Sequence, residues 1–274
     1  MKYSTATVIA VAGLSSAAPQ FSIPSGFNLP SFSFPSFNFP GIPAATSAAG
    51  SIGGIPASTP ATVTDVAQPT STGSTGGTVG SNCTPQGNGG GSTENGVADK
   101  NCCTDLTVIF ARGTGETGNM GTIAGPPMVK ALRSKLGADR VTVQGVDYPA
   151  SAAGNANLGA SGGPAMAESV KAALSQCPST KVVVSGYSQG GMVAHNAFSA
   201  QGLTASQVAG AVLFGDPLKS QKVGDLADSN VKQFCASGDL VCQGGGAAIT
   251  PAHLTYGNNA DEAADFVISA AGLS

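Results

Sequence analysis

The sequence predicts an α/β fold: one parallel sheet about five strands wide, with helices on both faces. Two observations carry this. From Cys102 to the C terminus, short apolar or β-branched runs alternate with segments long enough for helices, and that alternation makes strands parallel and puts helices in the crossovers. One run, Lys181–Val184, leads through Gly186-Tyr187-Ser188-Gln189-Gly190 into a small-residue segment that continues as a helix. A serine at the centre of G-x-S-x-G between a strand and a helix is a nucleophile elbow.

In chain order, Leu106–Ala111 (LTVIFA) is the first strand, and Arg112-Gly113-Thr114-Gly115-Glu116 forms a turn at its C-terminal end. Thr122–Leu136 becomes helical after Pro127, and Arg140–Asp147 is a second strand. Tyr148–Gly163 is an uncharged small-residue loop. Pro164–Cys177 is a helix with Met166, Val170, Ala173, Leu174 and Cys177 on one face, and Pro164 suits its first turn. After the elbow strand come a helix over Gly191–Gln201, strands at Val208–Phe214 and Val231–Cys235, and a last helix from about Ala260 to Ala271. In such a sheet, function collects at the carboxyl ends of the strands.

The elbow has a steric logic. Ser188 must sit on a tight, strained turn for its hydroxyl to stand clear of the sheet, and the flanking glycines let neighbouring backbone approach without a Cβ clash. The helix N-terminus beyond adds amide donors and a dipole that favours a developing oxyanion. A serine nucleophile needs a base, and the base needs an acid to orient it. The chain has two histidines. His195 lies seven residues beyond Ser188, about 10 Å down the same helix, and is read as a packed or surface residue pointing away from the elbow. His253, in the loop TPAHLTYG before the last helix, is free to reach the top of the sheet and is the candidate base. The order serine, acid, histidine leaves Asp216, Asp225, Asp228 and Asp239 as acids. Asp225 and Asp228 lie in a polar stretch. Asp216 ends the strand VLFGDP and is a real rival, but Asp239 sits between Cys235 and Cys242, and spacing favours it. The oxyanion donors are the N–H of Gln189 and a group from the turn after the first strand, where Thr114 offers an N–H and a hydroxyl. Arg112 and Glu116 read as an ion pair that holds this turn. The neutral imidazole is the working base, so the rate should climb across the pH range in which a histidine loses its proton.

Composition narrows the functional class. Formal net charge is −3 and charged residues make up 10% of the chain, with no basic stripe that would suit nucleic acid. The cysteines show no zinc-like pairing with histidine, there is no H-E-x-x-H, and neither a P-loop nor a G-x-G-x-x-G follows a strand, so no metal and no cofactor is expected. Residues 4–18 carry a short apolar core behind Lys2 and end in small residues, the pattern of a secretory signal (1–18) cut near Ala18. No later run is long and apolar enough for a membrane anchor. Secretion makes the six cysteines disulfide candidates, and Asn82-Cys83-Thr84 is a glycosylation sequon. Residues 19–80 repeat Pro, Ser and Phe and then turn to Ala/Ser/Thr/Gly/Pro, a disordered tail and linker too poor in bulky apolar residues to offset its ordering entropy. Residues 81–101 read as a Gly-rich loop joined to a folded domain over 102–274.

Four separated segments resemble fungal cutinases, in that family's order: Cys103–Gly121; Cys177-Pro178 leading to Gly186–Gly191; Cys235–Cys242; and Ala252-His253-Leu254. The resemblance implies a three-layer α/β-hydrolase-type sandwich without a large lid, with Ser188 as nucleophile, His253 as base, Asp239 rather than Asp216 as acid, and Thr114 and Gln189 as the oxyanion hole. It also implies disulfides Cys103–Cys177 and Cys235–Cys242, which leave Cys83–Cys102 as the third. Apolar cleft rims would fall near Leu158 and Ile249. The implied protein is a secreted, cofactor-free, monomeric serine esterase acting on cutin or another insoluble polyester or small ester through an acyl-enzyme. An acetylxylan esterase, sharing triad and fold, is the enzymatic alternative; a surface or adhesion protein with a silent hydrolase domain is the non-enzymatic one.

Overall fold

The computed structural model describes residues 83–274, except 88, 245 and 247. The signal segment, the 19–80 tail and Asn82 lie outside the described residues.

Five strands form one sheet: β1 (Leu106–Ala111), β2 (Val141–Gly145), β3 (Lys181–Tyr187), β4 (Gly210–Phe214) and β5 (Val231–Phe234). They stand in the order β2-β1-β3-β4-β5, and every neighbouring pair is parallel. Four helices cover it: α1 (Gly125–Leu136), α2 (Gly163–Gln176), α3 (Gln189–Ser199) and α4 (Ala260–Ala270). The pleat sends alternate side chains to opposite faces, and the core divides accordingly. Ile109, Val184 and Leu213 pack with Met166, Val170, Val193 and Phe198 of α2 and α3. Val108, Phe110, Val183 and Phe214 pack with Met128, Leu132 and Val267 of α1 and α4. The strands are apolar on both sides because both faces are covered.

After β2 the chain crosses back over β1 to lay down β3, so the direction of strand addition reverses between β1 and β3. The carboxyl ends of these two strands lie side by side, with Ala111 opposite Gly186. Such a switch point opens a crevice above the sheet, and here it brings the 112–116 turn beside Ser188.

Boundaries differ from the sequence reading in two informative places. β3 runs on to Tyr187 and α3 begins at Gln189, because Ser188 alone makes the turn, with φ 54° and ψ −116°. The described residues between 83 and 101 are more than a loop. The N–H of Gly96 bonds Val143 O at 2.8 Å, and the N–H of Gly145 bonds Glu94 O at 2.8 Å, so the chain around Asn95 pairs antiparallel with the outer side of β2. Val97 is buried, and Glu94 meets Arg133 of α1 at 2.6 Å with both side chains largely covered. The folded unit therefore reaches upstream of Cys102.

Three disulfides are present: Cys83–Cys102, Cys103–Cys177 and Cys235–Cys242. Cys103–Cys177 joins the start of β1 to the end of α2 across 74 residues, and chain-entropy reasoning gives a loop of that length about 4 kcal/mol. The double variant Cys103→Ser/Cys177→Ser is expected to lose roughly that much in urea unfolding and to melt well below the parent chain; an unchanged denaturation midpoint would show that the bridge adds nothing.

Candidate active site

Ser188 combines a positive φ with a non-glycine side chain, a conformation costing of order 1–3 kcal/mol that persists only when its surroundings enforce it. They do so here. The Ser188 N–H bonds Phe214 O at 2.8 Å, and its carbonyl accepts from Gly191 N–H at 2.9 Å. A Cβ on Gly190 would strike the carbonyl of Ala111, and one on Gly186 would strike that of Gly190, so both motif glycines are required by close backbone approach. Ser188 itself is nearly buried at 9% exposure. The N–H of Gln189 opens α3 and belongs to the first turn, whose amides have no carbonyl within the helix.

His253 lies in a short 3-10 turn, Pro251–Leu254, and is buried. Its Nδ1 is 2.9 Å from Asp239 Oδ2. The ring stacks at a tilt on Tyr187, 5.0 Å between centroids, and rests on Gly215, where a Cβ would come within 2.8 Å of Cε1. The Tyr187 hydroxyl donates to the His253 carbonyl at 2.8 Å. Tyr187 and Gly215 also flank Ser188 and its partner Phe214 in the chain, so Ser188 and the imidazole share two walls. They share no hydrogen bond: His253 Nε2 is buried with no partner. Catalytic hydrogen bonds are often long before substrate binds.

Asp239 is fully buried. Its Oδ1 accepts from Val241 N–H at 3.0 Å, and its Oδ2 accepts from His253 and from the Tyr256 hydroxyl. Burial pushes the carboxyl up; the Tyr256 and His253 hydrogen bonds, the His253 charge and the Val241 amide outweigh it, and the group is held below its ordinary value. The same contact, after burial, pushes the Tyr256 phenol up. With Asp239 ionised, a neutral His253 keeps its proton on Nδ1 and presents a lone pair at Nε2. The rival acid, Asp216, is engaged elsewhere, 2.9 Å from His195.

Thr114 and Gln189 meet through side chains. Gln189 Nε2 donates to Thr114 Oγ1 at 3.2 Å, to Asn155 Oδ1 at 2.8 Å and to Ser151 O at 2.8 Å, and the Thr114 hydroxyl donates to Asn155 Oδ1 at 3.2 Å. Asn155 belongs to a 3-10 turn, Ala152–Asn157, inside the loop after β2. The turn carrying Thr114 is held differently from the expected ion pair. Arg112 donates to the backbone carbonyls of Glu116 and Tyr148 at 3.0 and 2.7 Å. The Glu116 carboxylate instead accepts three backbone N–H groups, from Gly113, Thr122 and Ile123, which leaves it no need of the guanidinium.

Four large apolar side chains are exposed among the described residues: Leu158 and Ile249 at 55%, Leu254 at 54% and Leu240 at 37%. Leu254 follows His253 and Leu240 follows Asp239 in sequence. Tyr256, Asn155, Leu240 and Leu254 escaped the sequence reading. Tyr256 had the one available signal, its position three residues after His253 in a segment that would bring both onto one side of a helical turn.

A five-stranded parallel sheet covered by helices, with the site above its switch point, is the α/β-hydrolase type of fold, and the chain is a carboxylic ester hydrolase. Residues 102–271 match the family model described as Cutinase. The protein belongs to the cutinase family. Cutinase 4 of Emericella nidulans is 58% identical over 184 residues, 67% of this chain and 79% of that protein. A cutinase of Botryotinia fuckeliana is 47% identical over 180 residues, 65% of this chain and 89% of the relative. The solved structure of Trichoderma reesei cutinase in complex with a C11Y4 phosphonate inhibitor superposes with a TM-score of 0.58 at 41% identity, covering 66% of this chain and 80% of that one.

Proposed function

We propose that the protein is a secreted serine esterase that hydrolyses cutin through an acyl-enzyme. Ser188 attacks the ester carbonyl while His253 Nε2 takes its proton. Asp239 holds the imidazole in the tautomer that leaves Nε2 free and stabilises the imidazolium as it forms. The Gln189 N–H and Thr114 receive the oxyanion, with Asn155 steadying the Thr114 hydroxyl. The imidazolium then protonates the departing alcohol, and water activated by the same base releases the acid. The observation that carries this reading is the His253–Asp239 pair, whose unpartnered Nε2 belongs to a ring packed on Tyr187, which precedes the strained serine, and on Gly215, which follows the serine's backbone partner Phe214. The relatives named cutinases and the exposed Leu158 and Ile249 favour a water-insoluble polyester. Export is supported by the 1–18 leader and by three disulfides, and a monomer is the simplest assembly for a site built within one chain.

Purified protein offered cutin and acetylated xylan side by side is expected to release hydroxy fatty acids from the first at a far higher rate than acetate from the second, and to cleave p-nitrophenyl butyrate faster than the acetate. Acetate release alone would transfer the protein to the acetylxylan esterases.

A further inference from the structure

A second histidine–aspartate pair is buried behind the site. His195 stands on α3, two turns beyond the nucleophile, with 6% exposure; Asp216 follows β4 and Gly215 and is fully buried. His195 Nε2 is 2.9 Å from Asp216 Oδ2, and its Nδ1 is 3.2 Å from the carbonyl of Lys222. A carbonyl can only accept, so Nδ1 carries hydrogen. Asp216 already accepts from Leu218 N–H on Oδ1 at 2.9 Å and from Gln233 Nε2 on Oδ2 at 2.8 Å, an arrangement that an ionised carboxylate completes with Nε2–H as a third donor. An imidazolium–carboxylate pair meets every one of these contacts. Buried pairs of this kind often add little net stability compared with apolar packing, and in some proteins they serve to fix one arrangement.

The arrangement fixed here concerns the reaction. Phe214, Gly215 and Asp216 form a segment that touches both nucleophile and base. Phe214 O holds the Ser188 N–H; Gly215, at φ +55°, carries the His253 ring against its Cα; Asp216 lies so close to Gly191 of α3 that a Cβ there would come within 2.7 Å of its carboxylate. Asp216 is tied on one side to α3 through His195 and on the other to β5 through Gln233. The geometry points to His195 and Asp216 as positioning residues: a buried ion pair that clamps this supporting segment and sets the spacing between Ser188 and His253. The groups facing the pair are Gln233 from β5, the Leu218 amide and the Lys222 carbonyl; the Lys222 contribution is its backbone alone. The inference rests on the Ser188–His253 reading above.

Two measurements test it. The chain contains two imidazoles, so a long-range 15N–1H spectrum of the intact protein at pH 7, assigned with His253→Ala, reads the His195 ring directly. Both ring nitrogens are expected to be protonated; a neutral ring overturns the ion pair. Second, kcat for p-nitrophenyl butyrate is measured per active site titrated with a phosphonate, in His195→Gln and Asp216→Asn. A fall of about ten- to a hundredfold in kcat is expected, with KM within about twofold, since small misplacements of reacting groups cost this much. A lowered melting temperature with unchanged per-site kcat would reduce the pair to an ordinary structural contact and overturn the proposal. If instead Ser188→Ala remains active, the triad reading fails, while the spectrum still reports on the pair.

Discussion

Replacing Ser188 with alanine is expected to lower kcat on a soluble p-nitrophenyl ester by at least about a thousandfold, because the covalent route is lost and only binding and oxyanion stabilisation remain. The substitution removes a single oxygen that makes no structural hydrogen bond in the described residues; its backbone bonds to Phe214 and Gly191 persist. The variant should fold, melt within a few degrees of the parent and still bind substrate. Steady-state kinetics with phosphonate titration of residual active sites checks this. Activity within tenfold of wild type would remove Ser188 from the reaction.

The second large effect is expected for Asp239→Asn, a loss of about a thousand- to ten-thousandfold in kcat by analogy with loss of the orienting carboxylate in other serine hydrolases. Donors meet both carboxylate oxygens: Val241 N–H on one, Tyr256 O–H and His253 Nδ1–H on the other. An asparagine amide must turn its N–H₂ toward one of these sets, setting donor against donor, or force the imidazole into the tautomer that blocks Nε2. The same site has a signature in acid. The folded-state value of Asp239 is depressed, so its contribution to stability is fully present above its unfolded value of about 4 and is lost as pH falls through the lower folded value. Asp239→Asn should therefore flatten the stability–pH curve in that acid window. Tyr256→Phe, which leaves burial unopposed by one hydrogen bond, should move the acid loss to higher pH. Chemical denaturation at pH 2 to 6 measures both, and curves parallel to wild type would contradict the assignment of the shift.

The sheet and the elbow were legible in the sequence because both are local. Lys181–Val184 is apolar over consecutive positions, and the glycines around Ser188 answer clashes with atoms only a few residues or one strand away. His253 was legible by elimination, since His195 is carried away from the elbow by helix geometry. Spacing favoured Asp239 over Asp216 without deciding between them. Each aspartate found a histidine, and which pairs with which depends on where two loops fold back over the sheet. Tyr256 and Asn155 were hidden for the same reason: each matters through an atom far away in the chain. The pairing of Glu94–Val97 with β2 was hidden by its brevity, since one bridge in a glycine- and asparagine-rich stretch leaves no alternating pattern to read. The Arg112–Glu116 ion pair was misread because opposite charges four residues apart suggest attraction, while three nearby amides claimed the carboxylate first.

That short antiparallel pairing on β2 bears on how the enzyme behaves when crowded. On the reading proposed above, the enzyme accumulates at the surface of an insoluble polymer, where molecules lie side by side at high local density. An open outer strand would there invite a neighbour to add its own strand and begin a growing aggregate. Because the chain around Asn95 already takes up Val143 and Gly145 on that side, this stretch of β2 offers a neighbour no template.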